Sequence, residues 1–158
     1  MSAERARGDG GTVPRGPGEP AFRLLGLDHV VLRVTDVERA IAFYCGVLGC
    51  HEERRIEALG LIQLRAGASL IDLVGVDSAL GRAGGAAPSD TGRNVDHVCL
   101  RIDPFDEAAL RTHLEAQGVE PGDVAQRYGA DGHGPSMYIR DPDGNVVELK
   151  GPPTRTGS

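Results

Sequence analysis

Residues 28–34 read DHVVLRV and residues 96–102 read DHVCLRI. Five of the seven positions are identical, and the other two exchange one apolar residue for another. Side chains alternate along a strand, so Val30, Leu32 and Val34 share one face while His29, Val31 and Arg33 share the other. The second copy behaves alike, with Val98, Leu100 and Ile102 opposed to His97, Cys99 and Arg101. The apolar face must pack on its own half of the chain, and the histidine face must look toward whatever the sheet encloses. A repeated strand implies a repeated unit, and that reading governs the rest.

The first copy continues into TDVERAIAFYCGVLG and three apolar stretches ending in SLIDLVGV. The second continues into DPFDEAALRTHLEAQG and three stretches ending in NVVELKG. Each half therefore reads strand, helix, strand, strand, strand, an α+β fold of two βαβββ modules. Thr35 is placed to cap the first helix, with Glu38 completing a capping box and Gly49 as the stop. Val37, Ile41, Tyr44 and Leu48 recur at helical spacing. In the second copy Asp103 is the expected cap, Pro104 the first helical residue and Gly118 the stop, with Leu110 and Leu114 as the apolar stripe. Further strands are expected at 51–57, 61–65, 69–74, 135–140 and 145–149, and Asp141-Pro142-Asp143-Gly144 forms a hairpin turn.

The expected organisation is one domain over residues 22–151, made of modules 24–76 and 94–151 joined by a Gly/Ala-rich linker at 77–93. Residues 1–21 and 152–158 read as disordered tails, because they hold little that could pack. GRAGG in the linker lacks the strand-to-helix setting of a phosphate loop. The formal net charge of −6 argues against nucleic acid or an anionic membrane as partner. No apolar run approaches the length of a membrane span, and the first residues lack the apolar core of a secretory signal. Three cysteines in no metal-finger spacing point to reduced thiols and a cytoplasmic protein.

The last strand of each half carries a carboxylate in an apolar run, Asp72 in SLIDLVGV and Glu148 in NVVELK. Such a group is costly to bury unless it is paired, hydrogen-bonded or metal-bound. A lone strand histidine or carboxylate is more often structural than a ligand. Two of each at matching places in two copies form the donor set of a divalent metal: imidazole and carboxylate suit Zn, Ni, Mn, Fe and Co alike. His51, His113 and His133 lack that placement and read as exposed strand, helix surface and loop tip.

LDHVVLRVTDVERAIAFYCGVLGC, NVDHVCLRID and MYIRDPDGNVVELKGP resemble the vicinal oxygen chelate superfamily, which includes glyoxalase I, fosfomycin- and bleomycin-resistance proteins, extradiol dioxygenases and methylmalonyl-CoA epimerase. The resemblance covers residues 25–151. It implies sheets curled around a cleft that holds a divalent metal, with His29, His97 and Glu148 as ligands. Asp72 stands where glyoxalase-like members commonly carry Glu, one methylene longer. Two sites stay open, one of four ligands and one of two histidines and a carboxylate, with Gln63 as a substitute donor. The implied chemistry is chelation of a small substrate through adjacent oxygens, with Glu148 shuttling a carbon-bound proton in a lyase or isomerase. The alternatives are a dioxygenase or fosfomycin-type transferase, and a non-catalytic drug-binding protein. Arg33 and Arg101 are expected to ring the cleft and attract an anionic substrate, and a homodimer is the expected assembly.

Overall fold

The structure, a computed structural model, describes residues 25–154. The expected tail 1–21 and residues 155–158 of the expected C-terminal tail lie outside the described residues. The first module comprises β1 (His29–Val34), α1 (Val37–Ile41), which runs on as a π-helical turn (Ala42–Val47), β2 (His51–Ile56), β3 (Leu61–Ala66) and β4 (Ser69–Gly75). A short helix, α2 (Ala79–Ala83), follows within the linker, its first turn capped by Ser78. The second module comprises β5 (His97–Arg101), α3 (Glu107–Ala116), β6 (Val124–Gly129), β7 (Gly132–Arg140) and β8 (Val146–Lys150).

The modules repeat one topology. The sheets run β1-β4-β3-β2 and β5-β8-β7-β6, and in each the opening strand lies parallel to the last while the other pairs are antiparallel. The outer edges of β1 and β5 are unpaired in these sheets. Leu32, Val34, Ile62, Leu64, Ile71 and Leu73 join Met137, Ile139, Val147 and Leu149 in one core cluster that includes both sheets. Each such side chain, fully buried, stabilises the fold by about 1.5–3 kcal/mol. The expected apolar face of β1 is therefore the core face.

The first helix begins one residue later than expected. Asp36, not Thr35, is the cap: its backbone is extended and its side chain accepts the Arg39 N–H at 2.9 Å. Thr35 is engaged elsewhere, its backbone N–H and hydroxyl both donating to Asp143 Oδ1. The π-helical turn widens the helix by one residue per turn, which lets consecutive Phe43 and Tyr44 both face the core. Gly49, at φ 79°, ends the element. The second helix also starts later: Asp106 caps it through the Ala109 N–H at 3.0 Å, and Asp103 and Pro104 stay in the preceding loop. His133 is a strand residue in β7 opposite Tyr128, because the β6–β7 hairpin turns tightly between Gly129 and Gly132.

The D-P-D-G-N turn does more than reverse the chain. Buried Asp141 accepts hydrogen bonds from Tyr44 Oη at 2.9 Å, Asn145 N at 2.8 Å, Asn145 Nδ2 at 2.8 Å and Asp143 N at 2.9 Å. Burial, and then the Asp141 charge, push the Tyr44 phenol well above its usual range, so it stays a donor. Asn94 copies a strand neighbour for β1, accepting from Arg33 N at 3.3 Å and donating to Arg33 O at 2.8 Å. His113 Nε2 reaches Val47 O at 2.8 Å. The modules are thus clasped at the turn, along the edge of β1 and between the helices.

Candidate functional site

Register fixes which side chains can meet. In the first sheet Val31 lies opposite Asp72, and Asp72 opposite Gln63. In the second, Cys99 lies opposite Glu148, and Glu148 opposite Tyr138. Residues directly across neighbouring strands share a face, so each histidine face carries its module's carboxylate in the central row.

In the second module, His97 Nε2 stands 3.3 Å from Glu148 Oε2. His97 Nδ1 is bonded to Asp96 Oδ1 at 2.6 Å. A carboxylate on Nδ1 fixes the tautomer and leaves the Nε2 lone pair for a ligand. The twin strand repeats the device, with His29 Nδ1 bonded to Asp28 Oδ1 at 2.6 Å. That hydrogen bond raises the His29 pKa above its usual value, burial lowers it, and the Asp72 charge adds a smaller upward push. The repeated Asp-His dipeptide thus carries both a donor and the group that orients it. Sequence reasoning singled out the histidines and passed over the aspartates that precede them.

Asp72 is buried, 3% exposed. Gln63 Nε2 donates to its Oδ2 at 3.0 Å, and among the described residues its Oδ1 has no hydrogen-bond partner. Buried polar atoms nearly always have partners, and an orphaned one costs about 1–3 kcal/mol. Gln63, expected as a substitute donor, is turned onto Asp72 instead. The structure brings His97 to Glu148, whereas Asp72, opposite Val31, acts on His29 only through its charge. Among the described residues no three histidine, cysteine, aspartate or glutamate side chains group so as to hold a metal ion.

The two arginines placed at the cleft are engaged. Arg33 Nη1 donates to Gly81 O at 3.4 Å and Gly85 O at 3.1 Å, tying β1 to the linker. Arg101 pairs with Asp131 of the β6–β7 turn. Tyr138 and Arg127, neither singled out by the sequence reading, stand on the Glu148 side of the second sheet. The Tyr138 ring meets the His97 ring edge-on at 5.6 Å, and the Arg127 guanidinium lies 4.4 Å above the Tyr138 ring centre. Only the strand register reveals them, since neither sits in the repeated segments. The Cys99 thiol is pushed up by partial burial and then by the Glu148 charge.

The family model described as Glyoxalase/Bleomycin resistance protein/Dioxygenase superfamily matches residues 26–149. Virulence protein STM3117 of Salmonella typhimurium is 31% identical over 127 residues, which make up 78% of this chain and 81% of that protein. Biphenyl-2,3-diol 1,2-dioxygenase 2 of Rhodococcus globerulus is 32% identical over 124 residues, covering 77% of this chain and 60% of the dioxygenase. Among solved structures, an integron cassette protein from the mobile metagenome of V. cholerae matches with a TM-score of 0.63 and 30% identity, covering 82% of this chain and 97% of that one.

Proposed function

The chain belongs to the glyoxalase/bleomycin resistance/dioxygenase superfamily, whose members commonly use divalent metals, and from that premise we propose a metal-dependent lyase or isomerase acting on a small substrate with adjacent oxygens. The observation that carries the proposal is the His97–Glu148 pair, with Nε2 and Oε2 3.3 Å apart and Nδ1 held by Asp96. The orphaned Oδ1 of Asp72 adds weight, since a cation is the partner a buried carboxylate oxygen lacks. Two imidazoles and two carboxylates suit Zn, Ni, Mn, Fe or Co. When bound, the metal would supply Lewis-acid stabilisation of negative charge on a substrate oxygen.

His29, His97, Asp72 and Glu148 would hold the ion, Asp28 and Asp96 fixing the imidazoles. Glu148, on the longer side chain, would take the proton from the hydroxyl-bearing carbon beside a chelated carbonyl and return it to the former carbonyl carbon, while the hydroxyl proton passes to the former carbonyl oxygen, so that carbonyl and hydroxyl exchange places. Asp72, gripped by Gln63, would serve as a fixed donor. Because no three such ligands group within one chain among the described residues, we propose a homodimer that brings the first module's His29 and Asp72 to the second module's His97 and Glu148. Leu25, Leu27 and Val31, three of the six exposed large apolar side chains among the described residues, lie on β1 or just before it, where a covering surface is needed.

The test is metal analysis of the purified protein, with light scattering for mass, followed by exchange of the carbon-bound protons of hydroxyacetone in deuterium oxide. Bound metal, a dimer and exchange lost in Glu148→Gln are expected. A metal-free protein that still binds small aromatic drugs would replace this reading with the non-catalytic one. A second reading, an oxygenase, draws on the similarity to biphenyl-2,3-diol 1,2-dioxygenase 2. Oxygen uptake with catechol and no hydroxyacetone exchange would select it.

A further inference from the structure

Two cations on the Glu148 side of the second sheet have no anionic partner among the described residues. Lys150, the chain's single lysine, is 6% exposed, and its Nζ donates to Arg127 O at 2.6 Å and Gly134 O at 3.3 Å, both neutral carbonyls. Arg127 directs Nη1 to Ser136 O at 3.0 Å and Ser136 Oγ at 2.9 Å, again neutral groups. The guanidinium also lies over the face of the Tyr138 ring. Among the described residues the Nε–Nη2 edge has no hydrogen-bond partner, and that edge is the planar fork which takes a carboxylate through two parallel hydrogen bonds. Buried or half-buried charge without a counterion is costly. Lys150 holds the Arg127 backbone from below and adds a second positive charge to the same corner.

Tyr138 links this corner to the proposed metal pair, meeting His97 on one side and Arg127 on the other. Arg33 and Arg101, by contrast, have their guanidinium groups engaged by linker carbonyls and Asp131. We infer that Arg127 is the specificity-determining residue of the site, reading a carboxylate that the substrate carries in addition to its two adjacent chelating oxygens. The inference rests on the metal-site reading above. The Tyr138 ring keeps the Arg127 stem from folding away, and the cation–π contact leaves the guanidinium edge open.

A pair of probes isolates the carboxylate. 2-Hydroxyglutarate and 2-hydroxypentanoate share chain length and the chelating 2-hydroxy acid end, and differ only in a terminal carboxylate or methyl. Calorimetric titration of the metal-loaded, full-length protein should show 2-hydroxyglutarate binding about tenfold or more tighter, as a charge-assisted bidentate pair implies. In Arg127→Met the advantage should vanish while 2-hydroxypentanoate affinity and metal content stay unchanged, and Arg127→Lys should restore part of it. A merely structural role for Arg127 would weaken both probes equally. Equal affinities in the wild type, or an advantage that survives Arg127→Met, overturn the assignment while leaving the metal site standing. A wild-type protein that retains no metal overturns the metal-site reading and this assignment with it.

Discussion

At the register position where the first module sets Asp72 between Val31 and Gln63, the second sets Glu148 between Cys99 and Tyr138. Strand order and pairing are the same, yet the carboxylates are handled differently. Asp72 is sunk into its sheet, one oxygen held by an amide and the other unpartnered. Glu148 is equally buried but reaches its own histidine. One methylene separates a recessed, clamped donor from one that can approach a substrate. The scaffold dictates where a carboxylate stands, and side-chain length with its cross-strand neighbour decides what it can do. The first carboxylate is suited to holding an ion, the second to moving a proton.

That division of labour breaks most directly at Glu148. Glu148→Gln keeps shape and removes the base, so proton exchange at matched metal loading should fall about 10³-fold, while Asp72→Asn should act through metal content, its activity recovering once metal is saturating. If both substitutions cost the same activity at equal metal loading, the modules have equivalent roles and the contrast fails. Asp141→Ala tests the clasp that holds the modules in register. It strands the Tyr44 hydroxyl and the Asn145 amide groups in a buried place, which should cost about 3 kcal/mol of stability, read by urea denaturation. Tyr44→Phe removes one of those bonds and should cost about 1 kcal/mol.

Much of this was legible in the chain. The doubled DHV-L-R pattern announced two modules because alternation forces a histidine onto the face opposite the core, and Leu32 and Val34 are indeed fully buried. The D-P-D-G-N segment announced a turn because Pro presets φ and Gly144, at φ 79°, accepts the left-handed step. What the letters hid is cross-strand. Nothing near Thr35 says that its hydroxyl will be spent on Asp143, far along the chain, so the cap passed to Asp36. Nothing near Gln63 or Arg127 says which carboxylate or ring will lie beside it. Those partners follow only from register.

Gln63 therefore offers the sharper probe of the contrast. Gln63→Leu leaves both Asp72 oxygens without a partner, and the fixed donor becomes a mobile one. Metal affinity should drop about tenfold, the low end for loss of a group that orients a ligand, with Glu148-dependent exchange unchanged once metal is saturating. Gln63→Glu should drop it further if the like charge only repels Asp72, and raise it if the new carboxylate ligates.

The smallest expected effect concerns the cysteines. Val31 and Cys99 hold equivalent positions in the two central rows, so Cys99→Val gives the second module the first module's residue there. Stability should change by less than about 0.5 kcal/mol, because Cys99 is an exposed residue on an outer strand and valine fills a similar volume. The same residue should be the first labelled by iodoacetamide. Cys50 should be the last, since burial pushes its thiol up to about 11 and the neighbouring Cys45 adds to the shift. Only the thiolate reacts, so Cys50 labelling should rise about tenfold per pH unit between pH 8 and 10 in the folded protein. Mass spectrometry of timed reactions separates the three sites. Cys50 reacting as fast as Cys99 at pH 8 would mean that the first module's core opens, and that its carboxylate is not held as firmly as the contrast requires.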